Sequence, residues 1–223
     1  MGAYFSRETF RFLKDLKKHN ERAWFEDSRA RYEEHVKEPA LRLIEDLAPK
    51  LSKLSPHFLA TPRSLYRIHR DTRFAKDKSP FKTHVGLHFR HERSRDAHAP
   101  GYYFHIEPGS VFVGVGIWHP DPSALYRIRE RIVEEPEAWR RGSRAKSFTA
   151  TFALEGDRLA RAPKGFDPDH PLIEDLKWKD YIGLVELDES FATSPDLLAE
   201  LTAVFKAGTP LMRFLCEALD VPF

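Results

Sequence analysis

The residues best equipped for chemistry lie in one run, Arg63 to Thr83, where seven cations, two carboxylates and a histidine fall within 21 residues. Guanidinium groups present paired, planar donors that suit phosphate or carboxylate, and lysines add point charge. Arg67, Arg70, Arg73, Lys76, Lys78 and Lys82 are therefore candidate anion-binding residues, and Asp71 and Asp77 are placed to hold selected cations in position. A disordered basic tail lacks aromatic and branched residues, whereas Leu65, Tyr66, Ile68, Phe74 and Phe81 are interleaved here at spacings that can anchor a folded segment. Three readings compete. The run binds a phosphorylated or otherwise anionic small molecule, with enzymatic turnover left open; or it holds nucleic acid or an acidic protein; or it is a salt-bridge network with no ligand. The first is the leading expectation. No glycine-rich phosphate loop of the GxxxxGK[ST] type is present, which weighs against an ordinary nucleotide hydrolase.

A second set of chemical groups needs a sheet to bring it together. After Pro62 the apolar pattern alternates, predicting strands over Leu65–Arg70, Thr83–Arg90, Tyr102–Glu107 and Val111–Trp118, the last two joined by a Pro108-Gly109-Ser110 turn. In such an antiparallel meander Val85, Leu87, Phe89, Val111, Val113, Val115 and Ile117 make one apolar face, the core. The other face gathers His84, Gly86 and His88, then Tyr103, His105 and Glu107, then Phe112, Gly114, Gly116 and Trp118. Bare glycines inside strands point to close approach by a helix or a ligand. His69, His105 and Glu107 are the candidate proton-transfer groups. His84, His88, His105 and Glu107 are also of metal-ligand type, but His84 and His88 stand roughly 13 Å apart along a strand, too far to share one ion. No metal is assigned, and any cofactor stays unknown. Ser110 is a turn residue, no serine lies in a GxSxG elbow, and His119 and His170, each before a proline, read as turn residues.

The elements that must position these groups follow from the rest of the pattern. From Ser6 to Leu54 helical spacing predicts three helices, with Asn20 capping the second and Pro39 in the first turn of the third. The polar stretch from His91 to Gly101 is an expected hairpin loop. Ser123 is expected to cap a helix carrying Leu125, Ile128 and Ile132, and Pro136 to open another. Short strands are expected over Phe148–Leu154 and Arg158–Ala162. A helix over Leu172–Lys177, a strand over Tyr181–Leu187 and two C-terminal helices split near Gly208-Thr209-Pro210 complete the chain. Strands and helices do not alternate as in βαβ units, so the expected fold class is α+β: one main antiparallel sheet, a meander, packed with N-terminal and C-terminal helices. A single domain over 1–223 is expected, with a helical layer over 1–60, a sheet-containing core over 61–190 and C-terminal helices over 191–223.

Composition bounds the partners. With 36 Lys+Arg against 34 Asp+Glu the net charge is +2, so basicity is local and the global field demands neither nucleic acid nor an anionic membrane. The single cysteine, Cys216, lies in an apolar helical pattern and reads as a small buried hydrophobe. No apolar run reaches membrane-spanning length, and residues 1–13 carry Arg7, Glu8 and Arg11 in place of an apolar signal core, so a cytoplasmic protein without a membrane partner is expected. Oligomeric state is not legible.

The string from Arg67 to Thr83, with Trp24-Phe25 upstream and Gly101-Tyr-Tyr-Phe-His105 and Gly114-Val-Gly-Ile-Trp118 downstream, resembles the family called domain of unknown function 2461. The resemblance covers nearly the whole chain, with departures at His69 and Phe81, where the family often has tyrosine. It implies a soluble protein of bacterial or fungal type and brings no activity, ligand or catalytic residue with it.

Overall fold

A computed structural model describes residues 3–94 and 100–223. Its first helix, α1 (Arg7–Lys18), is closed by local chemistry: the Ser6 hydroxyl accepts from the Glu8 N–H while Thr9 Oγ1 accepts from the Ser6 N–H. Short helices α2 (Arg22–Asp27) and α3 (Arg29–Tyr32) lead through a π-helical turn, Glu33–Lys37, into α4 (Glu38–Leu54), with Pro39 in the first turn. Asn20 does not cap α2. Its side-chain amide donates to the Phe81 carbonyl at 2.9 Å and accepts from the Phe81 N–H at 3.0 Å, tying the helical layer to the end of the basic run.

The strands are β1 (Val85–Arg90), β2 (Gly101–Glu107), β3 (Ser110–Ile117), β4 (Ala153–Glu155) and β5 (Tyr181–Leu187). They form one antiparallel sheet in the order β1-β2-β3-β5-β4, so the expected meander is extended by β5 beside β3. Between β3 and β4 come α5 (Pro122–Glu134), α6 (Pro136–Ser143) and α7 (Lys146–Thr149); α8 (Ile173–Leu176) precedes β5. Helices α9 (Glu189–Ala192), α10 (Leu197–Ala207) and α11 (Thr209–Ala218) follow it. The fold is α+β, as expected.

Register sorts the two faces. Leu87, Phe104, Val113 and Val185 lie side by side across four strands, and Phe89, Tyr102 and Val115 form the next row. Phe205 of α10 packs on Phe89 and Tyr102 at ring distances of 5.6 and 4.8 Å, and a Cβ added at Gly208 would sit 2.8 Å from Val115. Each large apolar side chain removed from water here contributes about 1.5–3 kcal/mol, which fixes the C-terminal helices on this face and leaves the other one open.

Four expectations are corrected locally. Asp121, not Ser123, caps α5, accepting from the Ser123 and Ala124 N–H groups. Phe148 belongs to α7 and stacks on Phe152 one turn later at 5.4 Å, so of the expected Phe148–Leu154 strand only Ala153 and Leu154 are extended, in β4. Arg158 makes a single bridge to Trp178 in place of a strand. Leu65–Arg70 is not a regular strand either: the Tyr66 N–H donates to the Gly86 carbonyl, after which the chain pairs with its own return through Arg70 N–H to the Pro80 carbonyl and Lys82 N–H to the Ile68 carbonyl. Pro80 has no N–H to carry that ladder further. Residues 95–99 of the expected 91–101 loop lie outside the described residues.

Candidate functional site

The face of the sheet turned away from α10 and α11 carries the groups expected there, in rows set by register. Gly86, His105 and Phe112 are cross-strand neighbours, and His88, Tyr103, Gly114 and Leu184 form the adjacent row. With Tyr66 and Trp118, all of these except Gly86 line a cavity of about 400 Å³. The glycines of this face have separate reasons. A Cβ at Gly86 would lie 2.7 Å from the Tyr103 hydroxyl, so that glycine makes room for a ring. Gly116 has φ +128° and its Cβ would fall 2.1 Å from the Tyr181 carbonyl oxygen, so no side chain fits. At Gly114 the nearest atoms to an added Cβ are 3.9 Å away, and that glycine alone of the three simply opens the floor.

His88 is neutral by construction. Its Nδ1 accepts from the Tyr66 hydroxyl at 2.8 Å and from Arg90 Nε at 3.2 Å, and burial, reinforced by the Arg90 charge, lowers its pKa from 6.5 to about 4. At the other end of the cavity His84, His105 and Glu107 converge. His105 Nε2 lies 3.5 Å from Glu107 Oε2, and the His84 and His105 ring centres are 4.5 Å apart. Phe112 stacks on His105 at 4.5 Å, the Tyr103 hydroxyl lies 3.1 Å from His105 Nδ1, and the Thr83 hydroxyl donates to Glu107 Oε1 at 3.0 Å. Burial holds both imidazoles in the neutral form: His84 is lowered to about 4, with His105 adding to the effect, and His105 is lowered despite the opposing pull of Glu107.

The basic run is placed differently from its sequence appearance. Arg73 grips Asp71 with Nε at 3.0 Å and Nη2 at 2.7 Å, which brings the Asp71 pKa down to about 2. Arg70 pairs with Asp77 and also reaches the Ser79 carbonyl; Asp77 is held low by the Ser79 hydroxyl and N–H ahead of Arg70. Lys78 Nζ donates to the Thr72 carbonyl at 2.9 Å. Lys76 and Arg67 are exposed, and Phe74, expected to anchor the segment, is 94% exposed. His69 packs edge-on to Phe25 and tilted on Phe81, and lines neither cavity of this region. Lys82 is half-buried: its Nζ donates to the Arg67 carbonyl at 2.9 Å and stands 5.1 Å over the Tyr66 ring, and desolvation, then Arg67, lowers its pKa.

A cleft of about 360 Å³ lies beside these groups, lined by Lys17, Asn20, Arg70, Asp77, Lys82 and His84 among others. His84 therefore borders both this cationic cleft and the aromatic cavity. A wider depression of about 730 Å³ between α6 and α11 lies away from all of them. Of the candidates read from sequence, the structure brings Arg70, Asp77, Lys82 and His105 to the walls of the two cavities, sets Glu107 behind His105, and leaves Arg67, Asp71, Arg73, Lys76, Lys78 and His69 outside the walls. Sequence reasoning missed Lys17, Tyr66, Ile182 and Leu184 as wall residues. The β5 pair alternates visibly with Tyr181 and Gly183, yet nothing local says which strand β5 will join.

A family model described as "Conserved hypothetical protein (DUF2461)" matches residues 8–214. No curated protein matches the chain. The chain belongs to the DUF2461 family.

Proposed function

We propose that this member of the DUF2461 family binds a small anionic molecule with an aromatic or apolar body, the body seated on the open sheet face and the anionic group in the adjoining cleft. The observation that carries the reading is the shared wall at His84, which joins a cavity floored by Gly114 and walled by Tyr103, Phe112 and Trp118 to a cleft bearing Lys17, Arg70 and Lys82. The reading keeps the anion expected from the basic run but moves it from the loop tip to the two cations nearest the sheet. The Lys82 ammonium, half-buried and beside Arg67, is desolvated and would be stabilised by an anion. His105 is the group placed for proton transfer to a bound molecule, with Glu107 behind it at 3.5 Å. Backbone contact with nucleic acid is the weaker reading, since at the loop tip Arg73 already holds Asp71 and Lys78 donates to the Thr72 carbonyl. We read the protein as cytoplasmic, on its single, fully buried Cys216 and the absence of any described helix long and apolar enough to cross a membrane.

Calorimetric titration tests this with phenyl phosphate, inorganic phosphate and benzyl alcohol. Phenyl phosphate is expected to bind at least about tenfold more tightly than either fragment, and both Lys82→Met and Gly114→Val are expected to weaken it by about tenfold or more, one by removing charge and one by filling the floor. Equal binding of phenyl phosphate and inorganic phosphate, or insensitivity to Gly114→Val, sinks the proposal.

A further inference from the structure

We propose that His84, His105 and Glu107 form a binding site for a divalent transition-metal ion. One donor atom from each lies within 4.8 Å of the other two. The antiparallel register explains why: β1 runs so that Gly86 faces His105 and Val85 faces Ile106, which carries the preceding His84 toward Glu107. Ligands of a tetrahedral ion with bonds near 2.0–2.1 Å stand roughly 3.4 Å apart. His105 and Glu107 already meet that spacing at 3.5 Å, and His84 sits in the bend before β1, where a side-chain rotation closes the set.

The surroundings are those of a supported ligand set. Tyr103 offers its hydroxyl to His105 Nδ1, so an Nδ1–H there turns the Nε2 lone pair toward Glu107, and Phe112 fixes the ring plane. Thr83 holds Glu107 Oε1 and leaves Oε2 facing the histidines. A hydrogen bond to the carboxylate accounts for His105 beside Glu107, whereas His84 has ring contact with His105 at 4.5 Å and, among the described residues, no hydrogen bond to its ring. Two imidazoles and one carboxylate suit a first-row transition ion, whereas magnesium and calcium prefer oxygen throughout. Three protein donors leave at least one position open, and His84 places it at the junction of the two cavities. The site does not depend on the anion reading and is tested without any anion.

The probes are Zn²⁺, titrated against a chromophoric chelator, and Co²⁺, read by visible absorption, on chelator-treated full-length chain. One Zn²⁺ per chain is expected, with a Co²⁺ spectrum lacking thiolate charge transfer because Cys216 is buried elsewhere. His84→Gln, His105→Gln and Glu107→Gln should each weaken binding beyond the roughly 10–100-fold that loss of a supporting partner costs, and Thr83→Val by about tenfold. His57→Gln is the control, since His57 pairs with Glu92 at 2.7 Å away from this cluster, and its affinity should match wild type. Absence of stoichiometric Zn²⁺, or an equal loss in His57→Gln, overturns the site. Thermal midpoints in chelator check folding; if His105→Gln fails to fold, His84→Gln decides, since His84 lies outside the buried core.

Discussion

The basic run and the open sheet face both gather polar groups but assemble them by opposite means. In the run, partners are close in sequence: Arg73 finds Asp71, Arg70 finds Asp77 and Lys78 finds the Thr72 carbonyl. An irregular, exposed segment lets opposite charges close in sequence pair with each other, so a density of cations in sequence is largely spent within the loop. On the sheet, His84, His105 and Glu107 come together because register forces them to, and neither imidazole had a free choice of partner. Groups held together by the backbone against their own preferences are the ones available to a ligand.

The sharpest way to break that comparison is to disturb register. Gly116→Ala places a Cβ 2.1 Å from the Tyr181 carbonyl at a φ of +128°, so β3 and β5 must separate. Denaturant unfolding should show a loss on the order of 3 kcal/mol or more, whereas Gly114→Ala on the same strand should stay within about 1 kcal/mol. Comparable stability of the two variants removes the claim that close strand contact demands glycine at 116 and only space at 114.

Protonation probes the same face more gently. The His88 Nδ1 accepts two hydrogen bonds, from Tyr66 and from the Arg90 cation, with Tyr103 also against its ring, and none of these favours imidazolium. With its pKa lowered from 6.5 to about 4, the unfolded chain binds this proton before the folded one does. The His88 contribution to stability is therefore full above pH 6.5, falls as pH drops toward 4 and flattens below it, amounting to about 3 kcal/mol at most. His84 and His105, lowered in the same direction, add to the slope. In a pH series of urea unfolding curves, His88→Gln should be measurably flatter than wild type between pH 6.5 and 4; an unchanged slope means His88 is not held neutral by the fold.

Much of this architecture was legible in the sequence, and the failures are instructive. Period-two alternation placed β1, β2 and β3 and sorted their two faces correctly, because one face is buried and a slip of one residue would expose it. The same alternation misled at Leu65–Arg70, where Pro80 on the returning chain cuts the ladder short. Phe148 and Phe152 satisfy a strand pattern and an i,i+4 helical contact equally, and packing chose the helix. The candidate site was legible as a set of residue types on one face. Its join to the cationic cleft was not, because that rests on Asn20 reaching Phe81 from another layer of the fold.

Two further substitutions separate the anchored end of the run from its tip. Asn20 closes a two-bond clamp on the Phe81 backbone, and Phe81 is buried against Phe25 at 4.2 Å, so Asn20→Ala removes both bonds from a part-buried backbone donor and acceptor. A loss of about 1–2 kcal/mol is expected. Arg73→Ala removes a bidentate pair of equally good geometry, yet both partners are exposed, at 77% and 48% of their side-chain surface, and water replaces each bond as it is lost. Its thermal midpoint should match wild type at low and high salt alike. A shift as large as that of Asn20→Ala would mean that the tip is part of the folded scaffold, and the loop would then have to be counted with the sheet face as a region whose charges are held in place by the fold.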